Sequence, residues 1–227
     1  MQYSQRARLR ALLRIQWFMN HNAQEIGTVN QSRVRRVLDA VVAALEAYAK
    51  ELHLSAMEAA SKTEIKTLLR TELRVLHMHQ ITVIAQSRLD GVADTPLMSK
   101  FRYPDRRVDD EGLVAAGQSM ADAAELYEAV FLDEQLPSDF IGQLRAATEK
   151  VRLTTAERDG CRLRLRAATE GVVTELQRAK HVVRVLNTLL VRQLRGNVEL
   201  LSAWSMAKRV RAKPGVARGA EDAATAA

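Results

Sequence analysis

The sequence is poor in the residues that build disulfide scaffolds, β-rich folds and tight turns. It has one cysteine, four prolines and ten glycines in 227 residues, and aromatic residues make up 4% of the chain. A single cysteine cannot form an internal disulfide, so nothing points to an oxidising compartment, and we expect a cytoplasmic protein. Few prolines and no alternating β-branched runs argue against an all-β fold.

Long apolar runs are absent as well. The longest, residues 40–45, is far shorter than the roughly 20 residues of a transmembrane helix, so we expect no transmembrane segment. The N-terminal apolar residues are interrupted by Arg14 and Gln16, and no small-residue cleavage site follows, which argues against export. The same N-terminal stretch also fits a transit peptide or a membrane-surface helix, because it contains four arginines before the first acid, Glu25. These arginines are Arg6, Arg8, Arg10 and Arg14.

The spacing of histidines does not fit a helical di-metal site. Such sites need Glu-x-x-His, which places both ligands on one helix face. The residues three positions before the five histidines are Phe18, Lys50, Arg74, Leu76 and Arg178. His77 and His79 lie about 200° apart on a helix and cannot share a metal. No glycine-rich phosphate loop of Walker or Rossmann spacing occurs.

Cys161 is the one candidate nucleophile. Nearby arginines at 158, 162 and 164 could lower its pKa and make it reactive. The alternative, which we favour, is a small buried core cysteine. We therefore expect a non-enzymatic protein with no catalytic residue, no cofactor, no metal site and no small-molecule substrate.

The composition is that of a helical protein, with 47% apolar residues despite the few aromatics. We predict an all-α fold, in which about six main helices and a short C-terminal helix form an antiparallel up-and-down bundle. The sequence also allows this bundle to be elongated. Residues 1–210 are predicted to form one helical domain, with enough aliphatic residues for a core. Residues 211–227 are predicted to be a disordered, Gly/Ala-rich basic tail.

The first long helical region carries a regular apolar row. A helix of about residues 5–22 precedes it, and Asn30 is the predicted N-cap of the second helix. Apolar residues then recur every three or four positions: Val34, Leu38, Val41, Leu45, Tyr48 and Leu52. Ser61-Lys62-Thr63-Glu64 has the pattern of a capping box, so we predict a helix end near Ala59 and a third helix from there to about Leu89, through Ile65, Leu69, Leu73, Leu76 and Ile84.

Residues 90–109 form the one long predicted loop in the middle of the chain. It contains Lys100-Phe101-Arg102-Tyr103-Pro104, which brings two of the ten aromatic residues together. A loop of this length is either functional or held down by its own side chains. Phe101, Arg102 and Tyr103 are therefore a candidate contact site, and the alternative is that the two aromatics close one end of the bundle.

The second half of the chain repeats the helical pattern. A helix is predicted from Asp110 to about Val130, and Pro137 and Asp139 mark the next helix start. In the helical region that starts there, we favour a break between two helices at Asp159-Gly160. The alternative is one continuous helix, because the heptad phase continues across these two residues. Gly196-Asn197 is predicted to separate that region from the last helix.

Three short motifs resemble those of an abundant group of uncharacterised all-helical bacterial proteins. They are the Lys-Phe-Arg-Tyr-Pro loop at 100–104, Leu-Pro-Ser-Asp-Phe at 136–140, and Ala-Trp at 203–204. The resemblance covers roughly residues 95–210 and implies a helical fold. That group has no assigned activity, so no functional residue carries over. Where its members usually have Arg-Leu-Asp, this chain has Val185-Leu186-Asn187.

Charge is unevenly distributed along the chain. The net charge is +7, yet residues 1–24 hold four bases and residues 208–218 hold five, with no acid in either stretch. Residues 90–140 contain 12 acids and four bases, whereas residues 141–218 contain 17 bases and six acids. Either the acidic segment packs against the basic helices, or both are solvated faces.

Two classes of function remain. The first is a structural or protein-interaction bundle that associates with itself or with another protein. The second is an accessory protein that binds nucleic acid without sequence specificity through a basic tail, either alone or together with the N-terminal arginines. Its candidate polyanion contacts are Lys208, Arg209, Arg211 and Lys213.

Overall fold

The protein is an all-α helical bundle. The computed structural model describes residues 1–91 and 95–210, without the side chain of Thr95, and these ranges contain no β-strand. The helices are α1 (Tyr3–His21), α2 (Arg33–Glu72), α3 (His79–Arg88), α4 (Thr95–Lys100), α5 (Asp110–Glu125), α6 (Glu128–Asp133), α7 (Phe140–Gln193) and α8 (Val198–Ala207). A 3₁₀ helix (Gly27–Gln31) precedes α2, and a π-helical turn (Leu73–Met78) separates α2 from α3.

Two compact units account for the described residues. Unit 1 combines Met1–Leu54 with the described part of Arg164–Ala227, and unit 2 is Ser55–Leu163. Both long helices, α2 and α7, contribute residues to each unit. The single domain over residues 1–210 stays a prediction, and the predicted disorder of residues 211–227 lies outside the described residues.

Unit 1 is built on the two heptad rows that the sequence predicts. Leu38, Val41 and Leu45 of α2 are fully or almost fully buried, and α7 adds an aliphatic row from Ala168 to Leu190. Trp204 of α8 closes this core, with its ring centroid 5.6 Å from that of Phe18. The predicted core face of these segments is therefore confirmed.

Unit 2 has a mixed aliphatic and aromatic core. Phe131 of α6 lies between Phe101 and Phe140, with ring centroids 5.9 and 5.4 Å away. Leu113 and Met120 of α5 are fully buried in the same cluster. The short helices and the loop after α4 thus fold around three phenylalanines that lie far apart in the sequence.

The predicted break near Ala59 is wrong, since α2 runs without interruption from Arg33 to Glu72. Thr63 donates its hydroxyl hydrogen bond to the Ala59 carbonyl at 2.7 Å, as a threonine inside a helix does. The predicted Asn30 cap is also wrong. Residues 27–31 form the 3₁₀ turn, and Ser32 Oγ accepts the Arg35 amide at 3.2 Å instead.

The π-helical turn was not predicted, and it rearranges the apolar row beyond it. A π turn contains an additional residue, so the positions that face inward shift from the three-or-four spacing to a five-residue step. Leu73 and Met78 are fully buried, while Leu76, a predicted core residue, is 55% exposed. Ile65, upstream of the turn, is exposed as well.

The favoured break at Asp159-Gly160 is wrong too, because α7 is one helix of 54 residues. The apolar row does become polar there, but the inward positions remain inward: Thr154 and Cys161 are buried, and the Arg158 side chain is 12% exposed. Polar contacts to other parts of unit 2 replace apolar packing over this stretch. A polar interval in the row therefore does not end the helix.

The other helix ends lie close to the predicted positions. The Asp109 carboxylate accepts the Gly112 amide at 2.8 Å at the start of α5, and Asn197 accepts the Leu200 amide at 3.0 Å at the start of α8. Gly196, with φ of +104°, allows the turn between α7 and α8. The predicted helix to Val130 is interrupted at Tyr127, and α4 lies within the predicted loop.

Candidate functional site

A cavity of about 620 Å³ lies in unit 1 between α1, α7 and the C-terminal end of α8. Its floor is apolar and consists of buried side chains on facing helices, among them Leu12, Ile15, Leu176 and Ala179. The heptad spacing explains this floor, because the same positions that form the core of unit 1 continue to the cavity wall. The volume is in the range of small-molecule sites, about 300–1,000 Å³.

The rim of the cavity is basic. Arg8 of α1, Lys180 of α7 and Lys208 after α8 line it, and no Asp or Glu is among the lining residues. Arg8 and Lys180 are exposed, whereas Lys208 is half-buried. The arrangement joins an apolar floor to a positively charged entrance.

Lys208 is held in place by contacts to the end of the bundle. Its Nζ donates to Asn187 Oδ1 at 2.5 Å, and the same oxygen accepts the Trp204 indole N–H at 3.0 Å. The ammonium also lies 5.9 Å from the centroid of the Trp204 ring. Asn187 thus fixes both the buried indole and one cation of the rim.

The two basic ends of the sequence meet in unit 1. Arg14 Nη2 donates to the Arg209 carbonyl at 2.5 Å, across 195 positions of sequence. The sequence leaves open whether the N-terminal arginines act together with the basic tail, and the packing of α1 against α8 brings the two ends into contact. Of the four predicted polyanion contacts, Lys208 and Arg209 lie at this junction, while Arg211 and Lys213 lie outside the described residues.

The predicted loop contact site is divided between core and surface. Phe101 is 1% exposed and belongs to the core of unit 2. Tyr103 is half-buried, with its ring centroid 5.5 Å from that of His79 and 5.3 Å from the Arg74 guanidinium carbon. Only Arg102 is exposed.

Arg74 is the residue that fastens this loop, and sequence analysis missed it. It lies in the π-helical turn, is 8% exposed, and donates to the carbonyls of Asp105 at 2.9 Å and Pro104 at 2.5 Å. No signal in the sequence would have found it, since Leu76 continues the apolar spacing after Leu73. The five-residue step from Leu73 to Met78 is visible only in the burial of the folded helix.

Three cations surround Asp110 at the start of α5. Its carboxylate accepts from Lys66 at 2.8 Å and from Arg70, and Arg158 lies 3.7 Å away. Burial on its own would raise the pKa of the Asp110 carboxyl, but the hydrogen bonds from Lys66 and Arg70 outweigh burial and hold that pKa below its ordinary value. The cluster joins α2, α5 and α7 within unit 2.

Further ion pairs join the acidic segment to α7. Arg145 contacts Asp122 at 3.0 Å and Glu125 at 2.7 Å. With the Arg158 contact to Asp110, these pairs agree with the first of the two alternatives, in which residues 90–140 pack against the basic helices, within unit 2. Each exposed pair contributes little to stability, about 0–1 kcal/mol.

Cys161 is buried, with Sγ 3.6 Å from Glu58 Oε2. Its placement agrees with the favoured interpretation of a core cysteine. Within residues 1–91 and 95–210, no group of three or more His, Cys, Asp or Glu side chains is arranged to hold a metal ion.

One face of α2 in unit 2 carries exposed apolar side chains. Met57 is 59% exposed, Ile65 41% and Leu68 70%. Small uncharged residues, Ala60 and Ser61, lie exposed between them. Lys62 and Lys66 of the same stretch contact Glu157 and Asp110, respectively.

None of the described helices has the length and apolarity to cross a bilayer. No protein-family model, no curated protein and no solved structure matches the chain.

Proposed function

We propose that the protein is a non-enzymatic interaction bundle that self-associates through the exposed apolar face of α2 in unit 2. The observation that carries the proposal is the row of Met57, Ile65 and Leu68, each at least 41% exposed. A helix places positions 57, 61, 65 and 68 within an arc of about 80°. Large contiguous apolar patches on a protein surface mark interaction sites.

A second copy of the chain is the partner that fits this row best. Two α2 helices in antiparallel contact about a two-fold axis place Met57 opposite Leu68, and Ala60 opposite Ile65 of the second copy. The same register places the Ser61 hydroxyl opposite the Glu64 carboxylate, twice. Such an isologous contact uses one patch on both subunits, as most homodimers do.

The charge of this face argues against nucleic acid there. Glu64 is exposed on it, and the two lysines of the same stretch contact carboxylates of unit 2. A polyanion would therefore contact a surface with no excess of positive charge. An apolar partner, in contrast, would remove the exposed apolar side chains of α2 from water. A cytoplasmic location belongs to the same proposal, since a single free cysteine forms no internal disulfide.

Sedimentation velocity over a range of protein concentrations tests the proposal. We expect a concentration-dependent dimer that Leu68→Glu abolishes, because the substitution places two carboxylates in the apolar contact. Leu126→Glu is the matched control: Leu126 is 71% exposed, as Leu68 is 70%, and it lies on no part of the α2 row. A monomer at every concentration, or a dimer that ignores Leu68→Glu, contradicts the proposal.

Polyanion binding is the second candidate, favoured by the junction of the two basic ends at Arg14 and Arg209. Its sequence-independent affinity would fall steeply with salt. Heparin retention at two salt concentrations tests it, with the full chain, a chain ending at Val210, and an Arg6→Gln/Arg10→Gln variant. Loss of heparin retention in both the truncated chain and the double variant supports a composite basic surface. Retention that neither change reduces contradicts it.

A further inference from the structure

The cavity of unit 1 combines two features that bear on what it holds. Its floor is made of buried aliphatic side chains from α1 and α7, and its entrance carries Arg8, Lys180 and Lys208. We infer that this cavity is a binding site for a single-chain amphiphile with an anionic head group, such as a fatty-acid carboxylate.

The floor requires an apolar ligand. Leu12, Ile15 and Leu176 are 5%, 1% and 7% exposed, and they form a continuous apolar surface with Ala179. A wholly polar anion would gain nothing from contact with this surface. An alkyl chain that lies on it is itself removed from water, at about 0.8 kcal/mol for each buried methylene.

The rim requires a negative charge. Three cations and no carboxylate line the cavity, so a neutral amphiphile would leave the cations without a counter-charge. Lys208 is oriented by Asn187, which reduces the side-chain entropy that it loses when it contacts a head group. Gln5 and Gln177 also line the cavity and offer further hydrogen-bond donors.

The chain itself supplies a rival occupant, because Val210 lines the cavity and residues 211–227 follow it. That segment has Val216 as its one large apolar residue and is otherwise rich in alanine, glycine and charge. Its composition matches the apolar floor poorly. It also carries three bases and two acids, so it offers no excess of negative charge to the basic rim.

Isothermal titration calorimetry with sodium dodecanoate, below its micellar concentration, tests the inference on the full chain. We expect one saturable site per chain, and no binding of sodium acetate, which has the head group alone. Dodecyl maltoside, with the same alkyl chain and a neutral head group, should bind at least tenfold more weakly, a difference of about 1.4 kcal/mol.

Matched variants separate the site from a general charge effect. Arg8→Gln/Lys180→Gln should weaken dodecanoate binding about tenfold, whereas Arg10→Gln/Arg184→Gln removes two charges from the same helices outside the lining and should leave it unchanged. Val173→Phe should obstruct the cavity, and Val185→Phe should not. Val173 and Val185 are 44% and 45% exposed on α7, and only Val173 lines the cavity.

Several outcomes overturn the inference. These are no saturable binding by the full chain and by a chain ending at Val210, equal affinity for dodecanoate and dodecyl maltoside, or equal effects of the cavity variants and their controls. Binding that appears only after removal of residues 211–227 identifies the tail as the occupant in the full chain and likewise overturns the inference for the intact protein.

Discussion

Among the described residues, units 1 and 2 each contain one buried arginine, and the two side chains have different partners. Arg35 in unit 1 contacts a carboxylate, Asp39, at 2.9 Å, and the side-chain oxygens of Asn20 and Asn30 at 2.8 and 3.2 Å. Arg74 in unit 2 donates to two loop carbonyls and lies against the Tyr103 ring. Arg35 ties α1 and the 3₁₀ turn to α2, whereas Arg74 holds down an irregular loop.

The comparison shows how the conformation of a connection, rather than its length, relates to the helix that contacts it. Unit 1 joins α1 to α2 through residues 22–32, which include the 3₁₀ helix, and its heptad rows pack as the sequence predicts. Unit 2 must accommodate the irregular segment of residues 101–109, and there the helix widens into a π turn that directs Arg74 inward. π turns recur where a helix must present a side chain that a regular turn would direct elsewhere.

The largest expected effects concern the two cores. Phe131→Ala in unit 2 and Trp204→Ala in unit 1 each remove a fully buried ring and should cost about 3–5 kcal/mol of unfolding free energy. Hydrogen–deuterium exchange should accelerate first within the unit that carries the substitution. Uniform acceleration through both units would instead show one cooperative domain, as the sequence analysis predicts for residues 1–210.

The two arginines should differ in their response to salt. Arg74→Ala should destabilise by about 2–4 kcal/mol, because charge-assisted hydrogen bonds and a cation–π contact are lost. Its partners are neutral carbonyls, so this cost should persist at about 1 M salt, where the Debye length is about 3 Å. Arg35→Ala loses an ion pair with a carboxylate that is 40% exposed, so its cost should fall with salt.

Urea unfolding at low and high salt measures both costs. Arg74→Lys keeps the charge but cannot span two carbonyls with a planar fork, so it should recover only part of the loss. Full recovery by lysine would mean that charge alone, and not the bidentate geometry, holds the loop.

The cation cluster of unit 2 should make its stability depend on acid pH. Asp110 has a lowered pKa in the folded protein, so its stabilisation is complete above the ordinary aspartate pKa of about 3.9 and is lost as pH falls through the folded value. Asp110→Asn should therefore cost about 1.5–3 kcal/mol at pH 7. The difference in unfolding free energy between the wild type and Asp110→Asn should disappear below about pH 4. Asp133→Asn, at an exposed position, is the control, and a gap independent of pH contradicts the assignment.

Gly160 lies inside α7, and a Cβ there meets no atom within 4 Å. Gly160→Ala should stabilise the protein by about 0.5–1 kcal/mol, because alanine loses less backbone entropy in a helix. Thermal unfolding measures the change. Destabilisation would favour the break between two helices that the sequence pattern suggests at this position.

The smallest effect concerns Ser61, which lies within the continuous helix α2. Ser61→Ala should be neutral or stabilising by up to about 0.5 kcal/mol, since alanine has the higher helix propensity. Ser32→Ala is the comparison, because Ser32 accepts the Arg35 amide, and loss of this cap should cost about 1 kcal/mol. Equal costs at both positions would contradict a single helix from Arg33 to Glu72.

Local sequence determined much of this protein. Local patterns predict the all-α class, the buried rows of α2 and α7 in unit 1, and the helix starts at Asp110 and after Asn197, because burial periodicity and the preferences of first-turn residues depend on residues a few positions apart. The same local signals mislead at Ser61 and Gly160. The helix continues through both positions, and residues distant in sequence supply contacts there that no short window contains, such as that of Lys62 with Glu157.

Tertiary structure decided the rest. The π turn at Arg74 follows from a loop that the helix must hold, and the cation cluster follows from where Asp110 lies relative to Lys66 and Arg158. The basic rim of the cavity joins Arg8, Lys180 and Lys208, which no sequence window contains together. A short-range pattern specifies which face of a helix is buried. Only the packing of helices that are distant in sequence specifies which side chains contact that face and which lie around its edges.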